Sequence, residues 1–155
     1  KYWVTDDVSE VIAKGQEQQI LSDAMLTETE KSQLILARVG QGAFRKKLVK
    51  HWGKCSATGC SQIDILKASH IKPWRDATHL ERLDPFNGLL LTPNLDQAFD
   101  QGLISFTDEG DIIIAQTLSA ELQRALGITP QCRLRSLHDR HLNYLAWHRE
   151  HVFSG

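Results

Sequence analysis

The segments LKASHIKPW (66–74) and NGLLLTPNLDQAFDQG (87–102) decide the fold of this 155-residue chain. Each contains a short run of apolar residues that is typical of a β-strand, and a long polar loop separates the two runs. The Asn87–Gly88 pair predicts a tight turn into the second strand. A short helix should then run from Asn94 to Gln101, where Gly102 ends it. The predicted order is therefore strand, loop, strand, helix.

Helices and a hairpin are expected on both sides of this unit. Thr27 and Glu30 have the spacing of a capping box, which predicts a helix that ends near 40–42. That helix should bury Leu34, Ile35 and Val39. A separate amphipathic helix is predicted over Ala43–Trp52, because apolar residues recur there every four positions. The remaining predicted elements are a hairpin and two helices: 103–115, Ala120–Leu126 and Arg140–Val152.

The composition is that of one compact globular domain. Hydrophobic residues make up 41% and charged residues 24% of the chain, values that are ordinary for globular proteins. No apolar run reaches membrane-spanning length, so we expect no membrane partner. The sequence starts at Lys1 without an initiator methionine or a signal-peptide pattern, which predicts a fragment of a longer protein.

The three cysteines favour packed thiols in a reducing, cytoplasmic setting. Their number is odd, which argues against a disulfide framework. Cys55 and Cys60 form one close pair, but Cys132 is distant in sequence and no second pair exists. Because structural zinc sites usually present two close pairs, structural zinc is not expected.

The charges are unevenly distributed, although the net charge is only −1. Residues 31–63 contain seven lysines and arginines and no acidic residue, whereas residues 83–123 contain seven acidic residues and no basic one. Such runs are commonly solvated surfaces. Together in one small domain, they also suit a protein that holds phosphates with one part and a cation with the other.

Two aspartates on the short predicted helix could hold that cation. Asp96 and Asp100 are four residues apart, so they share one helix face and repel each other unless a cation lies between them. Carboxylates suit hard cations such as Mg²⁺ or Mn²⁺. On its own, this pair is equally compatible with an exposed helix surface. A lone histidine in a strand, such as His70, is likewise more often a packed residue than a catalyst.

The ordered series of motifs resembles the HNH endonuclease superfamily. SHIKPW (69–74) and NGLLLTPNLDQAFDQGLISF (87–106) are similar to its ββα-metal unit, and the similarity extends from GQGAF (40–44) to AWHREHVF (146–153). It is closest to a bacterial subfamily found at the C-termini of restriction-like proteins. The resemblance implies an α+β fold with a ββα-metal (HNH) core, flanking helices and an added β-hairpin.

The resemblance also assigns roles to individual residues. It implies that His70 is the general base and that Asn87 orients the loop and the imidazole. It places Asp96 at a metal-ligand position and Asp100 at an additional ligand position found in some members, such as colicin DNases. It makes Asn94 a candidate for contact with the substrate or with the ligands, and suggests that His148 packs near the site without being catalytic.

Ser69 departs from the family pattern. Many relatives have aspartate or histidine there as a metal ligand, and a neutral hydroxyl is a poor ligand. The protein ligands would then be the two aspartates alone, which Mg²⁺ tolerates because it commonly keeps several waters and takes substrate oxygens. Ser69 would then contact the metal ligands or the substrate without binding the metal itself. An alternative is that His70 binds the metal and His79 acts as the base.

The resemblance implies metal-assisted hydrolysis of DNA to 5′-phosphate and 3′-hydroxyl ends, in restriction or defence. The alternative is a catalytically weakened HNH-derived module that only binds DNA. Residues 1–39 are expected to be a helical arm or a linker to an upstream recognition domain, and residues 40–155 the nuclease domain. Cleavage of both strands by one site per chain would favour a homodimer. The expected contacts to DNA phosphates are basic: Arg45, Lys46, Lys47, Lys50, Lys72 and Arg75.

Overall fold

The computed structural model describes residues 18–155. Its first long helix, α1 (Glu28–Trp52), begins with the predicted capping box, in which Thr27 and Glu30 bond each other's backbone N–H groups. The helix does not end at residues 40–42 as predicted. It is 25 residues long in total and ends at Gly53, which has a φ of 70°. Gly42 costs helix stability, but the buried side chains of Phe44, Leu48 and Trp52 hold the C-terminal half in place.

The N-terminal half of α1 is more exposed than the sequence predicts. Leu34 and Val39 are 43% and 50% exposed, so the expectation that both are buried is wrong. Ile35 is half-buried. The predicted boundary between residues 39 and 40 falls inside α1, and residues 1–17 of the predicted arm lie outside the described part. The division into an arm and a domain therefore stays a prediction.

The centre of the fold is the predicted strand–loop–strand–helix unit. Strands β1 (Lys67–His70) and β2 (Gly88–Leu91) pair antiparallel, with His70 opposite Gly88 and Lys67 opposite Leu91. The loop between them contains a helix that the sequence analysis did not predict, α2 (His79–Leu83). Helix α3 (Pro93–Asp100) follows β2 and packs back against both strands.

The remaining elements match the predictions closely. A hairpin forms from β3 (Ile104–Phe106) and β4 (Ile112–Ile114). Helices α4 (Ala120–Leu126) and α5 (Asp139–His151) follow. The core lies between the helices and the β1–β2 pair. Most of its largest fully buried side chains come from α1, β2, α3 and β3: Phe44, Leu48, Leu89, Leu90, Leu91, Leu95, Phe99, Ile104 and Phe106.

This α+β architecture leaves no gap between α1 and β2. A Cβ atom at Gly88 would lie 2.5 Å from Phe44 Cζ and 2.6 Å from Leu48 Cδ2, so only glycine allows this approach. In residues 18–155, no helix is both long and apolar enough to cross a membrane.

Candidate active site

His70 lies at the end of β1, and its ring is fixed on two sides. The imidazole stacks on Phe44, with ring centroids 3.7 Å apart and planes inclined by 8°. Its Nε2 lies 2.8 Å from the carbonyl oxygen of Arg82. Because a carbonyl only accepts hydrogen bonds, Nε2 carries a proton and the neutral ring has its lone pair at Nδ1. Burial lowers the pKa of His70, so the ring is neutral near pH 7.

Asn87 holds the loop that supplies this carbonyl. Its side chain is fully buried in the turn before β2. The Oδ1 atom accepts a hydrogen bond from the N–H of Lys72 at 2.8 Å, and Nδ2 donates to the carbonyls of Glu81 at 3.0 Å and Lys72 at 3.3 Å. Asn87 therefore ties the residues after β1 to the C-terminal part of α2, next to the Arg82 carbonyl that bonds His70.

The carboxylates of Asp96, which is half-buried, and of Asp100, which is exposed, form an acidic pair on α3. Burial raises the pKa of Asp96, while Ser69 and Lys67 oppose the change. Burial and the neighbouring charge of Asp96 raise the pKa of Asp100 to about 6, and Arg75 opposes this. Solvent reaches the pair at Asp100. The pair is thus a site of concentrated negative charge that a cation can reach.

Ser69 lies beside this pair on β1. Its side chain is only 2% exposed, and its hydroxyl is close enough to Asp96 to lower the pKa of that carboxyl. Yet Oγ has no partner in hydrogen-bonding geometry. A buried hydroxyl without a partner is uncommon in folded proteins. Two carboxylates next to an unpaired oxygen suit a hard, partly hydrated cation.

The protein alone does not complete a metal cage. Within residues 18–155, no group of three or more His, Cys, Asp or Glu side chains could hold a metal ion. A divalent cation at Asp96 and Asp100 would therefore need water or substrate oxygens as further ligands, which Mg²⁺ accepts readily.

Residues of the loop after β1 interact with both the imidazole and the acidic pair. Helix α3 starts near the Lys67 end of β1 and packs back against the strands. Asp100 lies about one turn further along the helix than Asp96. The Trp74 and His70 rings lie with their centroids 5.7 Å apart, and the charge of Arg75 acts on Asp100. In the described part of the chain, no hydrogen bond joins the imidazole to either carboxylate.

Two of the predicted phosphate contacts are used inside the protein. The guanidinium of Arg45 donates to the carbonyls of Leu66 and Ile63 at 2.6 and 2.8 Å, and burial lowers its pKa. Lys72 forms an ion pair with Glu81 at 3.1 Å and is only 18% exposed. Arg45 supports the segment before β1 and Lys72 supports the loop after it, so we do not retain them as DNA contacts.

The other predicted cations lie at the surface. The side chains of Lys46, Lys47 and Lys50 are exposed on α1, and Arg75 is 81% exposed beside the acidic pair. The ammonium group of Lys47 also donates to the carbonyl of Leu83, at the end of α2. Lys47 and Arg75 are therefore the exposed cations that lie beside or within the loop that follows His70.

Three further residues from the sequence analysis have clear positions. The amide of Asn94 donates to the carbonyl of Leu126 at 2.8 Å, so it is directed toward α4 and away from the acidic pair. His79 is exposed at the start of α2. His148 is buried against Phe99, with ring centroids 3.7 Å apart. Phe99 lies between the two aspartates in sequence, so His148 does pack against the helix that carries them.

The sequence analysis missed the role of α2. The carbonyl oxygens of Glu81 and Arg82 in this helix hold Asn87 and His70. The available signal was the Thr78-x-x-Glu81 capping box, which the structure confirms with both hydrogen bonds. The loop therefore contains a rigid turn that sets the orientation of the imidazole.

Comparison with known proteins identifies a family match in this part of the chain. Residues 55–107 match the model of a family described as HNH endonuclease. This segment belongs to the HNH endonuclease family. The HNH segment contains β1, β2 and α3, together with both candidate catalytic residues and both aspartates. Comparison with curated proteins gives no match.

A solved structure described as a modification-dependent TagI restriction endonuclease is also similar to the chain that contains this HNH segment. The identity is 22% and the TM-score 0.41. The match covers 74% of this chain and 36% of the other, so this chain spans about a third of that protein's length.

Proposed function

We propose that this HNH domain hydrolyses DNA phosphodiester bonds, with His70 as the general base and a divalent cation at Asp96 and Asp100. The observation that carries the proposal is the hydrogen bond from Nε2 of His70 to the Arg82 carbonyl. It leaves Nδ1 unprotonated in the neutral ring, and the lowered pKa keeps the ring neutral near pH 7. A neutral imidazole with one fixed lone pair is suited to accept a proton from an attacking water.

The surrounding residues keep the base in position. Phe44 fixes the plane of the imidazole, and Asn87 fixes the loop whose carbonyl selects the tautomer. After His70 accepts a proton at Nδ1, the hydrogen bond at Nε2 remains, so the ring does not need to rotate during the reaction. Asn87 is therefore a positioning residue, because it acts through the loop.

The aspartates supply the oxygen ligands. A cation bound there would supply positive charge to stabilise the phosphate and the departing oxygen. We assign Mg²⁺ or Mn²⁺, because both ligands are carboxylates. The unpaired hydroxyl of Ser69 can bond a water held beside Asp96. The exposed cations Lys46, Lys47, Lys50 and Arg75 are proposed to contact DNA phosphates, which sets orientation without reading sequence.

Plasmid nicking in Mg²⁺ or Mn²⁺ tests the proposal. The unaltered protein should nick supercoiled DNA, while His70→Ala and the double variant Asp96→Asn/Asp100→Asn should not. His79→Ala is the matched control, because it removes an exposed histidine from the same loop and should retain activity. Loss of activity in His79→Ala but not in His70→Ala would favour His79 as the base. No nicking by the unaltered protein in any divalent metal would refute the proposal.

One observation favours a second candidate function, a module that binds DNA without cutting it. Ser69 provides no charge where a third ligand could lie, and only two carboxylates remain. In that case the unaltered protein would shift DNA in a gel with or without metal and would leave plasmid intact. A role in restriction or defence, a homodimer and an upstream recognition domain are further proposals. They rest on the resemblance of the sequence to restriction-like proteins.

A further inference from the structure

The side chain of Arg82 connects two parts of the loop that joins β1 to β2. Its Nε donates a hydrogen bond to the carbonyl oxygen of Trp74 at 3.0 Å. Its guanidinium carbon lies 4.6 Å from the centroid of the Trp74 ring, which is a favourable cation–π contact. One side chain therefore holds both the backbone and the ring of Trp74.

Both partners of this contact also reach the imidazole of His70. The backbone carbonyl of Arg82 accepts the hydrogen bond from Nε2 of His70 at 2.8 Å. The Trp74 ring meets the imidazole edge-on, with centroids 5.7 Å apart and planes inclined by 78°. The three residues therefore form a closed set of contacts. Within it, Arg82 joins the carbonyl that orients the imidazole to the indole that packs against it.

The other contacts of Trp74 do not replace the side chain of Arg82. The N–H of Ala77 donates to the same carbonyl at 3.2 Å and closes a 3-10 turn over Trp74–Asp76. On α1, a Cβ atom at Gly40 would lie 3.4 Å from Cη2 of Trp74, so the indole packs against that helix. Loss of the Arg82 side chain would therefore leave the turn and the contact with α1 in place and would free the indole on one side.

The charge of Arg82 acts on the same imidazole. Burial is the main cause that lowers the pKa of His70; the hydrogen bond to the carbonyl opposes it, and the positive charge of Arg82 adds to the lowering. Other charges around the loop have partners: Lys47 of α1 bonds a carbonyl at the end of α2, and Lys72 pairs with Glu81. In the described part of the chain, no carboxylate pairs with the guanidinium of Arg82.

We propose that Arg82 is a positioning residue for His70, whose side chain fixes the Trp74 ring and the Arg82 carbonyl where they orient the imidazole. The role of that imidazole as a general base rests on the proposed function. Arginine suits this position better than lysine, because a planar guanidinium can bond a carbonyl with its edge while its face covers an aromatic ring.

Nitrogen NMR of the His70 imidazole tests the proposal in protein without DNA or metal. At pH 7 the unaltered protein should carry its ring proton at Nε2. Arg82→Lys keeps the charge, but its single ammonium cannot make both contacts. Both tautomers should then be populated, so the two nitrogen shifts should move toward each other. Arg140→Lys is the matched control and should change neither shift, because Arg140 on α5 covers a different ring, that of Phe86, at 4.2 Å.

Plasmid nicking in Mg²⁺ measures the consequence for catalysis. Arg82→Lys should lower the rate by up to about 100-fold, the effect of misplacing a catalytic group by about 1 Å, and Arg140→Lys should not. Trp74→Leu removes the same contact from the other side, and it replaces Arg82→Lys in both assays if that variant does not fold. The double variant Arg82→Lys/Trp74→Leu should be no slower than the slower single variant, because the effects of coupled residues do not add.

The pH dependence of nicking distinguishes positioning from general damage to the fold. Arg82→Met removes the positive charge, so His70 should become protonated at a higher pH and nicking should be lost at a higher pH than in the unaltered protein. Arg82→Lys keeps the charge, so nicking should be lost at the same pH as in the unaltered protein, although the rate is lower. A merely structural defect would lower both rates without moving either pH.

The outcomes separate this proposal from the nuclease proposal. An unchanged His70 tautomer in Arg82→Lys, losses that multiply in the double variant, or an unmoved pH dependence in Arg82→Met would overturn the role of Arg82. Nicking that is equally fast in Arg82→Lys would also overturn it and leave the nuclease proposal standing. A tautomer that responds to Arg82→Lys in a protein that nicks DNA in no divalent metal would do the reverse.

Discussion

The buried His148 should make the fold sensitive to acid. This histidine is 1% exposed, stacks on Phe99, donates from Nε2 to the Phe99 carbonyl and accepts at Nδ1 from the hydroxyl of Ser105. Burial lowers its pKa from 6.5 to about 4. Between these values the unfolded chain binds a proton that the folded chain does not, so stability is lost as the pH falls. When the pH falls from 7 to 5, this residue therefore lowers the free energy of unfolding by about 2 kcal/mol.

His148→Gln isolates the contribution of the imidazole. Glutamine can donate to the Phe99 carbonyl but does not titrate. When the pH falls from 7 to 5, the free energy of unfolding of the variant should therefore decrease by about 2 kcal/mol less than that of the unaltered protein. Other titrating groups, including His141, whose pKa burial also lowers to about 4, remain in both proteins and cancel in the comparison. Urea unfolding followed by circular dichroism at both pH values measures the difference.

A second variant provides the control for this measurement. His79→Gln changes an exposed histidine and should leave the pH dependence as it is in the unaltered protein. The reasoning would be refuted if His148→Gln and the unaltered protein lost the same free energy of unfolding between pH 7 and pH 5. Such a result would mean that the imidazole is not held neutral inside the core.

Four further predictions concern the site and its supports. Asn87→Ala removes three hydrogen bonds from a buried loop, and it should lower the free energy of unfolding by about 2–4 kcal/mol and reduce plasmid nicking. Apparent Mn²⁺ affinity, measured by calorimetry, should fall about fourfold from pH 7 to pH 5.5, because protons compete for Asp100, whose pKa is about 6; Asp100→Asn should bind weakly at both pH values. Ser69→Asp should lower the melting temperature in EDTA and raise Mn²⁺ affinity, and a melting temperature unchanged in EDTA would contradict the burial argument. Gly42→Ala should raise the free energy of unfolding by about 1 kcal/mol in urea titrations, because its added Cβ would meet no other atom within 4 Å.

The sequence predicts the local structure well wherever a short-range interaction determines it. The capping box at Thr27 needs only residues three apart. The tight turn predicted at Asn87–Gly88 does not form, because Gly88 has an extended backbone with φ of −153° and begins β2, and a 3-10 turn over Pro85–Asn87 precedes it. The order of strand, loop, strand and helix follows from such signals, and the family resemblance adds the fold class. For the same reason, the predicted positions of the hairpin and of helices α4 and α5 agree with the structure to within a residue or two.

The sequence predicts less where a partner is distant along the chain. Arg45 has the positive charge expected of a phosphate contact, but the carbonyls of Leu66 and Ile63, to which it donates, lie next to it only in the folded protein. Gly42 suggests a helix end, yet α1 continues because Phe44 and Leu48 pack on β2. In both cases tertiary contacts outweigh the local signal, and periodicity cannot identify those contacts.

Ser69 illustrates why an incomplete cage is compatible with a working site. Burial and the charge of Asp96 already raise the pKa of Asp100 to about 6, so a third carboxylate at a position that is 2% exposed would add more unpaired charge before any cation binds. A neutral hydroxyl avoids this repulsion in the metal-free protein. The consequence under the proposed mechanism is weaker metal binding by the protein alone, with the remaining ligands coming from water and from the DNA phosphate. Metal and DNA should then bind cooperatively, because each supplies charge that the other needs.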